Sequence, residues 1–139
     1  MKLKAALALS ILPVLFSSQA LAFTVGVVMP TQIEPRWYSE GFGVEQLLKS
    51  NGFNVELFFG GDIDVSLQQR QIKRLSNDSN IDALVIGSID GNALKEALSA
   101  AKSKKLPVIS YDRLITGTDA VTYYATFDNG KVGQIKLSF

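Results

Sequence analysis

The 139-residue chain contains no cysteine and no histidine. Without cysteine there are no disulfide staples, so an exported fold built from this sequence must hold by its core alone. Without histidine there are no Ser–His or Cys–His nucleophile pairs and no histidine-containing zinc sites. Neither sign of charge dominates: 14 Lys and Arg against 13 Asp and Glu leave a formal charge of +1. There is no basic run, so nothing points to nucleic acid or an anionic membrane surface. The phosphate- and acyl-handling loops GxGxxG, GxxxxGK[ST] and GxSxG are missing too. Nothing marks two carboxylates as a hydrolytic pair. The sequence therefore does not read as an enzyme, and it implies no cofactor or metal.

What is present suits one globular unit. The length is that of a single domain, and the 47% apolar content is enough to bury a core. One apolar run stands apart. Lys2 and Lys4 precede an almost wholly apolar segment at 5–16, and Ala20-Leu21-Ala22 carries the small-x-small pattern that signal peptidase accepts. The run is shorter than the roughly 18–20 residues needed to cross a bilayer, and Pro13 interrupts it. These features predict a cleaved signal peptide over 1–22 and a mature chain from Phe23, free in the periplasm because no lipoprotein cysteine follows. Losing the two lysines takes the formal charge from +1 to −1.

From Phe23 onward, strand and helix patterns alternate. "FTVGVVMP" reads as a first strand closed by Pro30. Apolar residues at helical spacing follow over 36–50, ended by Asn51-Gly52. "FNVELFF" is a second strand, "GGDID" a turn, and 65–75 a second helix. "IDALVIGSI" is a third strand, Asp90-Gly91-Asn92 a turn, and 92–103 an alanine- and leucine-rich helix. "PVISY" is a fourth strand and "AVTYYATF" a fifth, and 130–139 begins a further helix. Continuous apolar strands between amphipathic helices imply a parallel sheet covered on both faces and joined by right-handed crossovers. The expected architecture is a doubly wound α/β lobe with the flavodoxin-like strand order 2-1-3-4-5.

In such sheets ligands bind beyond the carboxyl ends of the strands, near the point where strand order reverses. That rule selects Thr31, Gln32, Glu34, Arg36 and Trp37 after the first strand, and Ser88 and Asp90 after the third. It selects Tyr111, Asp112 and Arg113 after the fourth, and Asp128 and Asn129 after the fifth. Carboxylates that accept, a guanidinium fork that donates and an indole face together suit a polyhydroxylated ring. Each position also has a structural reading. Asp90 reads equally as a helix cap, Asp128-Asn129 as a cap, Asp112-Arg113 as a local ion pair and Trp37 as core. Tyr123 and Tyr124 alternate in a strand, which predicts one in the core and one partly exposed.

The segments "VGVVMPT…PRW", "LVIGSIDG", "VISYDRLI" and "YYATFDNGKVG" together resemble periplasmic sugar-binding proteins of ABC importers. The xylose-binding and multiple-sugar-binding branch is the nearest match, and the resemblance covers 23 to about 133. It implies a type I periplasmic binding protein fold whose two lobes close on a monosaccharide, an aldopentose or aldohexose. It also implies that Arg36, Trp37, Asp112 and Arg113 touch sugar. Asp90 transfers less directly, and Asn129 has a contact or a structural role. The implied partners are ABC permease subunits in the membrane or, in a sensing role, a membrane receptor kinase or chemoreceptor. Family members run to roughly twice this length or more. The expectation is accordingly an N-terminal lobe over 23–139 that lacks its second lobe. The segment "LQQRQIKRLSNDSN" departs from the acidic pattern usual in the family.

Overall fold

A computed structural model of the chain describes residues 22–128. Residues 1–21 of the expected signal segment, Asn129 and the helix expected from 130 lie outside the described residues. Eight elements alternate: β1 (Thr24–Met29), α1 (Pro35–Ser50), β2 (Asn54–Phe59), α2 (Val65–Asn77), β3 (Ala83–Ile86), α3 (Ser99–Lys104), β4 (Val108–Tyr111) and β5 (Tyr123–Ala125). All strand pairs are parallel, in the order β2-β1-β3-β4-β5. The chain adds β2 on one side of β1 and β3 on the other, so strand order reverses between β1 and β3. The predicted topology holds.

Alternation divides each strand between two layers. Val28, Leu84, Ile86 and Val108 face α2 and α3, where they pack with Ile72, Leu75, Leu94, Leu98 and Ala101. Val25, Val27 and Met29 face α1 and pack with Trp37. Register makes the rows continuous: Val27 lies opposite Leu57 and Val85, and Val85 opposite Ile109. Burying a side chain of this kind contributes about 1.5–3 kcal/mol, so these rows are the main source of stability.

The helices start and stop for local reasons. Pro35 occupies the first position of α1, where its missing N–H costs nothing. Asn51 ends that helix and Gly52 follows at φ +86°, as the Asn-Gly pair predicts. Asp64 caps α2 by accepting from the Leu67 N–H at 3.0 Å.

Two elements are shorter than the sequence predicts. The helix expected over 92–103 is helical only at Ser99–Lys104, after a run of turns at 95–98. Asp90 takes up the chain there: its Oδ1 accepts from the Asn92 N–H and its carbonyl from the Ala93 N–H. Gly91 is also pressed against the Leu114 carbonyl, where any Cβ would collide. The fifth strand, expected over 120–127, pairs only at Tyr123–Ala125. Both tyrosines are exposed, at 65% and 47%, against the expectation that one would be core. Among the described residues β5 is the edge of the sheet, and no described helix packs across it.

Candidate functional site

Arg36 lies in the first turn of α1, just beyond the carboxyl end of β1, and Asp112 directly follows β4. The two meet across the mouth of the sheet: Arg36 Nη2 donates to Asp112 Oδ1 at 2.6 Å. Arg36 Nε donates to Oε1 of Glu40, one helical turn along, at 2.8 Å. These bonds, the one to Glu40 first and the one to Asp112 second, hold the Arg36 pKa above its already high ordinary value. Burial and then the Glu40 charge push the neighbouring Tyr111 phenol up as well.

Asp112 has a left-handed backbone, φ +62°. The Arg113 N–H donates to the Tyr111 carbonyl at 2.7 Å, which closes a γ-turn around Asp112. A non-glycine residue in this region costs of order 1–3 kcal/mol and persists only where its surroundings enforce it. Here they do. The Asp112 N–H donates to the Ala125 carbonyl at 2.8 Å, and its own carbonyl accepts from the Tyr124 hydroxyl at 3.0 Å and Thr126 Oγ1 at 3.3 Å. β5 and Thr126 just beyond it thus hold the Asp112 backbone in this conformation.

The same turn sends Arg113 the other way. Its Nη1 donates to the Ser88 carbonyl at 3.2 Å, and the Ile89 carbonyl is at 3.5 Å. The backbone that accepts it is itself clamped. Buried Gln68 of α2 donates to the Gly87 carbonyl and accepts from the Ile89 N–H, both at 2.9 Å. Both guanidinium groups lie against Trp37, with the Arg36 Cζ 4.7 Å and the Arg113 Cζ 5.2 Å from its ring centroid.

The sequence-predicted residues divide three ways. Arg36, Asp112 and Arg113 converge on one open shelf. Trp37 is 1% exposed and packs with Met29 and Val27 as core, so in this lobe its ring is covered where a platform would need an open face. Asp90 is exposed and its Oδ1 accepts from the Asn92 N–H in an Asx turn; it caps no helix, because α3 begins only at Ser99. Asn129 lies outside the described residues. Thr31 is buried, donates to the Gly61 carbonyl and accepts from the Ile33 N–H, which ties down a loop. Glu40 and Gln68 were not singled out by sequence reasoning, although both left a signal. Glu40 is at i+4 from Arg36, and Gln68 shares the inward stripe of α2 with Ile72 and Leu75.

The shelf offers guanidinium donors and a carboxylate acceptor within reach of one another, and no group of described residues could hold a metal ion. Its chemistry is that of reversible hydrogen bonding to several oxygens. Cavity volume alone would direct attention elsewhere, to a groove of about 630 Å³ lined by Lys95, Ser99, Lys102 and Asp119 beside α3. That groove shares no residue with the shelf. Its ion pair, Lys102 to Asp119 at 2.7 Å, is exposed on both sides.

The chain is similar to known proteins. The multiple sugar-binding periplasmic protein SbpA of Azospirillum brasilense is 40% identical over 116 residues, which is 84% of this chain and 32% of that protein. The multiple sugar-binding periplasmic receptor ChvE of Rhizobium radiobacter is 38% identical over 115 residues, 83% of this chain and 32% of the receptor. Among solved structures, an ABC transporter solute binding protein from Clostridium phytofermentans with bound β-D-glucose is 41% identical. It superposes with a TM-score of 0.74 over 84% of this chain and 38% of its own. The chain therefore spans about a third of the length of the curated relatives it matches. Residues 25–137 match the periplasmic binding protein domain, and the chain belongs to that family.

Proposed function

We propose that this chain is the first lobe of a periplasmic solute-binding protein and that its shelf supplies one wall of a monosaccharide site. In this reading the segment at 1–22 directs export, and the sugar, an aldopentose or aldohexose, is delivered to the permease of an ABC importer. Arg36 and Arg113 donate to ring and hydroxyl oxygens, Asp112 accepts from hydroxyls, and Trp37 is the buried floor that fixes the spacing of the two guanidinium groups. The observation that carries the reading is the strained Asp112, held by three hydrogen bonds at the carboxyl edge and paired with Arg36 across the reversal of strand order. The relatives named above, two of them called multiple sugar-binding and one holding glucose, supply the ligand class.

One open wall binds weakly. Three charge-assisted contacts worth about 1.5–3 kcal/mol each exceed only the low end of the roughly 4–15 kcal/mol of freedom that a bound ligand loses. The chain by itself is expected to bind D-glucose or D-xylose at about millimolar dissociation constants. Low-affinity titration calorimetry tests this, with Arg113→Ala expected to weaken binding about tenfold, the worth of one charge-assisted hydrogen bond. Affinity unchanged in both Arg113→Ala and Asp112→Ala would remove the shelf from the mechanism.

A further inference from the structure

Arg36 and Asp112 could quench each other. A guanidinium facing a carboxylate ordinarily closes on it through two parallel N–H···O bonds, which would occupy both carboxylate oxygens and leave neither group for a ligand. That closure is not what the site contains. Asp112 receives a single bond, from Nη2 to Oδ1, and Nε, the donor that would complete a side-on fork with Nη2, is engaged by Glu40 at 2.8 Å. The geometry points to Glu40 as a positioning residue: by occupying Arg36 Nε it denies the Arg36–Asp112 pair its side-on fork and fixes the guanidinium plane, so that Asp112 Oδ2 and the remaining guanidinium N–H groups stay available to ligand oxygens. The inference rests on the reading of Arg36 and Asp112 as sugar contacts.

Glu40's own surroundings favour this role over a stabilising one. Its Oε2 is buried and receives no hydrogen bond of good geometry from the described residues, although the Tyr111 phenol is near enough to interact with the carboxylate. A carboxylate oxygen in that condition costs stability, and a buried polar atom left without a partner calls for an explanation. Glu40 also stands where the helix cannot shift. Next to it, Gly41 brings α1 so close to β2 that a Cβ would come within 2.9 Å of the Phe59 ring. With the backbone held, the i,i+4 spacing sets the distance at which Glu40 meets Arg36.

The test is a double-mutant cycle on sugar affinity, with D-glucose titrated into the 139-residue chain and followed by NMR. Glu40→Ala should weaken binding about tenfold, as expected if a charge-assisted bond that organises the site is lost. Glu40→Gln, whose amide oxygen still accepts from Nε, should recover most of that loss and also serves if the alanine variant folds poorly. In an Arg36→Ala background, Glu40→Ala should change affinity by less than about twofold, because Glu40 acts through Arg36. The inference is overturned if Arg36→Ala weakens binding while Glu40→Ala does not. It is equally overturned if Glu40→Ala costs the same in both backgrounds, since Glu40 then acts on the fold. A wild-type chain that does not bind, or wild-type affinity in both Arg36→Ala and Asp112→Ala, removes the site reading itself, and the inference falls with it.

Discussion

On one face of the sheet, α2 and α3 close over Val28, Leu84, Ile86 and Val108 until none of them is measurably exposed. On the other, α1 is the one described helix that covers Val27 and Met29, while Ile109 and Tyr111 stay partly exposed and Tyr123 is 65% exposed. The first face is a scaffold. The second carries the candidate site: Trp37 packs on it, and the two arginines against the indole open to solvent at its carboxyl edge. The closed face still takes part, because Gln68 reaches from α2 to hold the turn that receives Arg113.

If the faces differ in this way, mutations should separate them. The largest effect should come from Leu84→Ala on the closed face, which leaves a cavity under α2 and should cost about 2–5 kcal/mol in urea unfolding. Tyr123→Ala on the open face should cost less than about 0.5 kcal/mol. Similar costs for the two would erase the contrast. Next in size is Gln68→Leu, which keeps the bulk but leaves the Gly87 carbonyl and Ile89 N–H unpaired. About 1–3 kcal/mol of stability should be lost for each buried group that cannot find water, and sugar affinity should fall as the Arg113 acceptor loosens. A loss of stability with affinity intact would mean that the scaffold does not extend to the site.

Asp112→Gly separates the two roles at a single residue. Glycine adopts φ +62° freely, which relieves strain, while the lost Arg36 pair is worth only about 0–1 kcal/mol because Arg36 is half exposed. Thermal unfolding should therefore move little while sugar affinity drops about tenfold, the worth of a charge-assisted acceptor. The smallest effect is a pH dependence. The Tyr111 phenol is raised in the folded chain, by burial first and then by Glu40, so it keeps its proton where the unfolded chain loses it. Its contribution to stability is complete below the ordinary tyrosine value of about 10 and is lost as pH rises through the higher folded value. Glu40→Gln should shallow that decline, as read from unfolding at a series of alkaline pH values.

The strand order was legible because β-branched runs and obligatory right-handed crossovers leave few alternatives. The limits of β5 were not, because "AVTYYATF" reads as apolar whether or not anything covers it, and cover depends on tertiary neighbours. At the site, position was legible and geometry was not. Sheet topology alone brought Arg36, Asp112 and Arg113 to one edge. That Asp112 is left-handed depends on partners supplied by Ala125, Tyr124 and Thr126, and no local pattern announces it. Whether Trp37 offers a face or a floor was equally undetermined, since a helical aromatic next to an arginine suits both. Glu40 was within reach of sequence reasoning, because its spacing from Arg36 is the ordinary i,i+4 ion pair.

The central claim is that the carboxyl edge on the α1 side of the sheet is where sugar meets this chain. Titrating D-glucose into the uniformly labelled 139-residue chain, with backbone and arginine side-chain resonances followed by NMR, tests it most directly. The account predicts a midpoint at about millimolar sugar, with shifts concentrated at Arg36, Asp112, Arg113 and the 87–89 turn and the α2–α3 face silent. Shifts centred on the Lys95–Asp119 groove, or saturation at micromolar sugar by the chain alone, would contradict it.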